Sequence, residues 1–293
     1  MRYHLLLVFA LVASFLQSSD ALAVDVSRCG TIVSDAVLTA DLDCSASPWA
    51  IALLDRGTLD LAGHTLVAGT EGAVSCPGGC TIEGNGGAIV GGSHAVGIRA
   101  QDAGARVYVS NVAISGFAVA ISAKAAADVS NCVISDISAS AIHSNNVTAT
   151  NCSISGSGWS AISAWRRAVV TNCEISGSDM AITVENGKAI VTASTLSDNA
   201  TCGIWARAVL LSDSTVSNSG CVGVTTGKIR AQNSVVHGSG SGLSCSFFAP
   251  GERVDIASSM RPRLLSVDCD TSADMTAWKG DPTGESWRTC ALD

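Results

Sequence analysis

The chain has 293 residues, is 47% hydrophobic but only 4% aromatic, and carries 17 basic against 25 acidic residues for a formal net charge of −8. So acidic a balance excludes nucleic acid as the expected partner, and so few rings mean a core of small Ile, Val, Leu and Ala side chains. The sequence also lacks a nucleophile elbow, a phosphate loop and a His-Glu-x-x-His pattern, which excludes the chemistries those motifs carry.

At the start of the chain, Arg2 precedes an apolar run over residues 5–16, and Ala21-Leu22-Ala23 gives the small-x-small pattern of a signal peptidase site. Residues 1–23 therefore read as a signal peptide and the protein as secreted or periplasmic. No later apolar stretch approaches the about 20 residues of a membrane span. Twelve cysteines in an exported chain point to disulfides first and to metal second. Cys29 and Cys44 are close enough in sequence to pair within an N-terminal cap over residues 24–55, and Cys76 and Cys80 face each other across a Pro-Gly-Gly turn.

Leu59-Asp60-Leu61-Ala62-Gly63-His64-Thr65-Leu66 and Ile82-Glu83-Gly84-Asn85-Gly86-Gly87-Ala88-Ile89 are the first, irregular rungs of a repeat. Its regular form returns as Ser110-Asn111-Val112-Ala113-Ile114, Ser130-Asn131-Cys132-Val133-Ile134, Thr150-Asn151-Cys152-Ser153-Ile154 and Thr171-Asn172-Cys173-Glu174-Ile175. The asparagines are 20, 20 and 21 residues apart, and two further steps of 20 lead from Ala193 to Asp213 and Asn233. A unit this short cannot bury its own apolar face, so it must stack on its neighbours. Apolar residues two apart, with β-branched residues and single Asn or Gly between short runs, predict strands. Three fit per coil: one before the Asn, one after it, and one built on Gly97-Ile98, Ala120-Ile121, Ala141-Ile142, Ala161-Ile162, Ala181-Ile182, Gly203-Ile204, Gly223-Val224 and Gly242-Leu243. The Asn falls between strands, where it tolerates a left-handed backbone and its amide can bond the turns above and below. The Leu-x-x-Leu-x-Leu spacing of a leucine-rich repeat and the six-residue period of a left-handed helix are both missing. What remains is an all-β chain, a right-handed parallel β-helix over residues 56–245. It has about nine rungs of 20–23 residues and is roughly 40–45 Å long at about 4.8 Å per rung.

Cys29-Gly30-Thr31-Ile32 leading to Cys44, the Leu-Asp-Leu-Ala-Gly-His-Thr-Leu run and the Asn-Cys-x-Ile-Ser coils together resemble the secreted β-helix repeat proteins of the pectin lyase-like superfamily. The likeness spans roughly residues 29–245. It implies the same fold and a substrate groove over the Gly/Ala-Ile sheet. That superfamily holds lyases, hydrolases, epimerases, adhesins and members without known activity, so function has to be read from the site.

Side chains alternate along the Gly/Ala-Ile strand, which predicts two outward columns. One is Arg99, Ser122, His143, Ser163, Thr183, Trp205, Thr225 and Ser244; the other is Gln101, Lys124, Asn145, Trp165, Glu185 and Arg207. Arg166, Arg167 and Lys228 stand just beyond. Any solvated sheet shows some polar residues, but a mostly basic face with outward Trp on an acidic protein points to a ligand. Hydrolases of the superfamily use clustered Asp and calcium-dependent lyases several acidic ligands, whereas these columns offer Glu185 alone, with Asp102 nearby. A calcium-free lyase or epimerase needs only a cation for a uronate carboxylate and a base for the α-proton. Lys124 or Arg207 can supply the first and His143 the second. Arg99, Trp165, Arg166, Glu185 and Trp205 are then expected to hold the substrate. The expected partner is an acidic polysaccharide, bound by a monomer without cofactor or metal; the alternative is a non-catalytic surface protein. An accessory role in periplasmic metal handling, which one branch of these repeats serves, needs Met and His ligands, and Met180, Met260 and Met275 stand in unrelated places.

Cys132, Cys152 and Cys173 hold one inward position of three consecutive coils, where a thiol packs as a small hydrophobe; a three-thiolate metal site is the alternative. Cys202 and Cys221 lie at nearly equivalent places in adjacent coils, which allows a rung-to-rung disulfide. Asn146, Asn151 and Asn199 head sequon matches that a Ser/Thr/Asn-rich repeat produces by chance. From Cys245 the repeat fades, and residues 246–293, with Cys269 and Cys290, are expected to cap the open end.

Overall fold

In a strand such as Arg106–Ser110, Val107 and Val109 are buried while Arg106 and Tyr108 are exposed, the one-in, one-out pattern that the period of two demands. The computed structural model describes residues 23–220, 222–226, 229–237, 241–244 and 263–269. Among these residues every strand pairing is parallel, no helix occurs, and the strands wind into a solenoid of about nine turns. No helix among them is long and apolar enough to cross a membrane.

Two isoleucine ladders run the length of the core. Ile98, Ile121, Ile142, Ile162, Ile182, Ile204 and Val224 pair in register from rung to rung. Ile89, Ile114, Ile134, Ile154, Ile175, Leu196 and Val216 do the same on the adjoining sheet. All are buried, and each contributes roughly 1.5–3 kcal/mol. Between the strand that carries Val107 and Val109, or its equivalent, and the strand of the second ladder, the chain turns through a left-handed residue at every coil: Asn111, Asn131, Asn151 and Asn172 have φ between 52° and 56°, and Ala193, Asp213 and Asn233 take their place further on at 49°, 52° and 47°. The amides bond along the stack, Asn151 Nδ2 donating to Asn131 Oδ1 and Asn233 Nδ2 to Asp213 Oδ1, each at 3.1 Å.

The residue after the turn builds an inner ladder. Its members are Cys132, Cys152, Cys173, Ser194, Ser214 and Ser234, all buried. The Cys152 N–H donates to Cys173 Sγ at 3.4 Å, Cys173 N–H to Ser194 Oγ at 3.1 Å, Ser194 N–H to Ser214 Oγ at 3.1 Å and Ser214 N–H to Ser234 Oγ at 3.3 Å. Each of these side chains in turn donates to the carbonyl two residues back, as Cys173 Sγ does to Thr171 O at 3.2 Å and Ser194 Oγ to Thr192 O at 2.8 Å. The left-handed turn takes this N–H out of the parallel ladder, and the side chain one rung further on satisfies it. Cys132, Cys152 and Cys173 are thiols. Their mutual hydrogen bonds and burial push Cys132 and Cys173 well above the ordinary thiol range, with the bond to Cys152 the larger cause in each. The same bonds, that from Cys132 first, favour a thiolate at Cys152, but its Sγ–H donates to Thr150 O at 3.2 Å. The protonated stack is the state the carbonyl acceptors require, and among the described residues no group of three or more ligands is placed to hold a metal.

Coiling starts earlier than the repeat shows. The strands Val24–Val26, Thr31–Val33 and Ala36–Leu38 pair in parallel with Ala36–Leu38, Trp49–Leu53 and Thr58–Asp60, so residues 24–55, expected as a cap, are built of rung strands. At the other end Arg263–Cys269 pairs in parallel with Ile229–His237, which carries the stack beyond residue 245. The remainder of the expected C-terminal cap, residues 1–22 and Cys245 and Cys290 lie outside the described residues. Disulfides join Cys29 to Cys44 and Cys76 to Cys80. Cys202 is buried, but its expected partner Cys221 is also outside the described residues. Of the sequon asparagines, Asn199 is fully buried, accepting from Ser178 N–H at 3.2 Å and donating to Ser197 O at 3.0 Å.

Candidate functional site

The Gly/Ala-Ile sheet keeps its first column in the expected register: Arg99, Ser122, His143, Ser163, Thr183, Trp205, Thr225 and Ser244 are successive Cα partners. Size then decides exposure. Ser163 and Thr183 are only 2% exposed, although they point outward. His143 leans over Ser163, its Nδ1 lying 3.2 Å from Ser163 Oγ, while Thr183 Oγ1 meets Ser160 Oγ at 2.8 Å and Met180 Sδ at 3.6 Å. Small residues between large ones make a floor.

From Lys124 to Arg207 the second column falls at a corner, where the strands run on but their register is interrupted. The strands Val119–Ser130, Ile142–Thr150, Ser160–Thr171, Met180–Thr192 and Cys202–Ser212 each bend from this sheet onto the next, and the pairing lapses at the bend. Between the paired positions stand Lys124 and Ala125 in one rung, Asn145 in the next, then Trp165 and Arg166, then Glu185, Asn186 and Gly187, then Arg207. A bend can take an extra residue without disturbing the register on either side. Gly187 makes the longest of these bends possible, because a Cβ there would lie 1.6 Å from the Arg166 carbonyl oxygen. Register resumes with Asn146, Arg167, Lys188 and Ala208 as neighbours, so Arg167 and Lys188 stand side by side on adjacent rungs.

Floor and corner enclose a groove of about 480 Å³, to which Lys124, His143, Asn145, Ser163, Trp165 and Glu185 contribute. Four expected site residues, Lys124, His143, Trp165 and Glu185, thus share one groove. Trp165 keeps 46% of its surface exposed, and Glu185 is the one carboxylate of the lining. The other four stand beside it. Arg99 is held by Gln101, whose amide oxygen accepts from the guanidinium; Arg166 follows Trp165 at the corner; Trp205 is half-buried beyond Thr183; Arg207 donates to Asn186 Oδ1. Two features were missed by the sequence reading. The His143–Ser163 contact is one, and its signal was their adjacency in one column. The other is Trp159, 44% exposed immediately before its strand.

A family model described as right-handed β-helix region matches residues 78–248. The chain belongs to this right-handed β-helix family. No curated protein and no solved structure matches the chain. The β-helix assignment accounts for the stacking and the sheet, and the pectin lyase-like likeness is consistent with it; the groove's chemistry is particular to these residues.

Proposed function

We propose that this protein is exported and that its groove binds an acidic polysaccharide. The observation that carries the reading is the gathering of Lys124, His143 and Trp165 in one groove, with Arg166, Arg167, Lys188 and Arg207 exposed at the corners beside it, on a chain of net charge −8. The local reversal of sign attracts polyanions, and the exposed indole offers a flat apolar surface to a sugar ring. The two disulfides suit the oxidising compartment that export supplies. For eliminative cleavage or epimerisation, Lys124 is the cation for a uronate carboxylate and His143 the base for the α-proton; Arg207, engaged with Asn186 outside the groove, is not needed.

Titration of the mature protein with polygalacturonate and alginate tests the reading. Binding is expected to weaken with salt, since exposed charges are screened over about 8–10 Å at physiological ionic strength, and Trp165→Ala is expected to lower affinity roughly tenfold, the loss of about 1.4 kcal/mol. Absence of binding to every uronate polymer rejects the proposal. Ultraviolet absorbance of an unsaturated product, followed in the same samples, separates a lyase from a protein that binds only.

A further inference from the structure

The contact between His143 and Ser163 has no part in polysaccharide binding as such, and it is the arrangement that nucleophilic catalysis needs: a hydroxyl within hydrogen-bond reach of a base, in a groove. Ser122 and Ser144 also line the groove, but Ser144 Oγ is buried without a partner, and neither is bonded to His143. Ser163 alone among these serines sits against the imidazole. It is 2% exposed yet reaches the groove, so a reacting group must come down to it while the bulk of a ligand stays above, against Trp165. A short acyl group hanging from a sugar hydroxyl has that shape. The ring-borne carboxyl of a uronate does not.

We infer that Ser163 and His143 form a nucleophile–base pair that removes short acyl esters from the bound polysaccharide, an inference that rests on the binding proposed above. With its proton on Nε2, His143 takes the hydroxyl proton of Ser163 at Nδ1 as Ser163 Oγ forms a bond to the acyl carbon. Lys124 Nζ and the Asn145 amide, in the same groove, are the donors for the oxyanion that develops. The bond from the acyl carbon to the sugar oxygen then breaks, and the sugar oxygen receives the proton from His143. Water, deprotonated by His143, attacks the acyl-Ser163 ester; the carboxylic acid leaves and Ser163 regains its proton. Nothing is oxidised or reduced, and no cofactor enters.

Two measurements test the pair on the mature protein. A fluorophosphonate probe followed by tryptic mass spectrometry is expected to place the adduct in the 125–166 peptide, at Ser163; the peptide that ends at Lys124 carries Ser122 and should stay unmodified. Acetate release from acetylated polygalacturonate is expected to fall by about 10²-fold or more in both Ser163→Ala and His143→Gln. His143 is exposed, so the second variant remains informative if the first fails to fold. An unlabelled Ser163, with acetate release no greater than in the variants, overturns the pair. Polymer binding measured alongside separates the two readings: binding without acetate release rejects the esterase alone, and labelling of Ser163 without polymer binding rejects the polysaccharide alone.

Discussion

Each residue after the left-handed turn has two hydrogen-bonding duties, accepting from the rung before and donating to the carbonyl two residues back, and Cys and Ser both meet them. Cys173→Ser is therefore expected to change unfolding free energy in urea by less than about 1 kcal/mol, whereas Cys173→Val, which removes the acceptor for the buried Cys152 N–H, should cost about 1–3 kcal/mol. In the native protein Cys132, Cys152 and Cys173 should resist alkylation and react after denaturation without reductant; disulfide-linked thiols in the mass spectrum would contradict the ladder. The turn residue itself is a matter of backbone conformation. Asn131 holds φ at 53°, so Asn131→Val is expected to cost at least about 1–2 kcal/mol, while Asn131→Gly should be nearly neutral. That Ala193 already occupies this conformation at φ 49° shows that the stack carries such a penalty when the neighbouring coils hold it.

At the scale of the element, the thiol ladder gives the solenoid a pH limit. Cys132 and Cys173 are raised above the ordinary thiol range when folded, by the hydrogen bond to Cys152 first and by burial second. Above about pH 9 the unfolded chain loses thiol protons that the folded chain keeps, so the unfolded state binds fewer protons and stability falls as pH rises. The slope approaches about 1.4 kcal/mol per pH unit for each thiol so shifted. The Cys132→Ser/Cys173→Ser double variant should lose this alkaline slope in thermal unfolding scans; an unchanged slope would show that the thiols do not titrate in this way. The corners are the second feature of this scale. Their lengths differ from rung to rung, and the longest, over residues 185–187, requires Gly187. Gly187→Ala should force the Arg166 carbonyl aside and weaken polymer binding more than it weakens the distant Ile ladders, which titration and urea unfolding on the same variant would show.

For the whole molecule, parallel stacking from Val24 through the strand Arg263–Cys269 makes stability a sum over neighbouring rungs, and a far-ultraviolet spectrum without helical minima is the expected signature. The sequence by itself determined the coil, the three strands, the left-handed Asn turns and the inward cysteines, because a period near 20 and an alternation of two are properties of the chain that each rung repeats. The register of the first column follows from the sequence for the same reason. It did not show that residues 24–55 are rungs, since their apolar spacing is irregular and only pairing with the next coil reveals them. It drew Trp205 and Arg207 into the groove with Trp165, where the structure leaves them outside. Alternation predicts which way a side chain leaves the strand, but the reach of a groove depends on how many residues fill each corner and which neighbour overhangs a small one. Those are relations between rungs, and only the stacked structure sets them: Ser163 and Thr183 became a floor, and Ser163 a partner of His143, because larger side chains stand on the rungs around them.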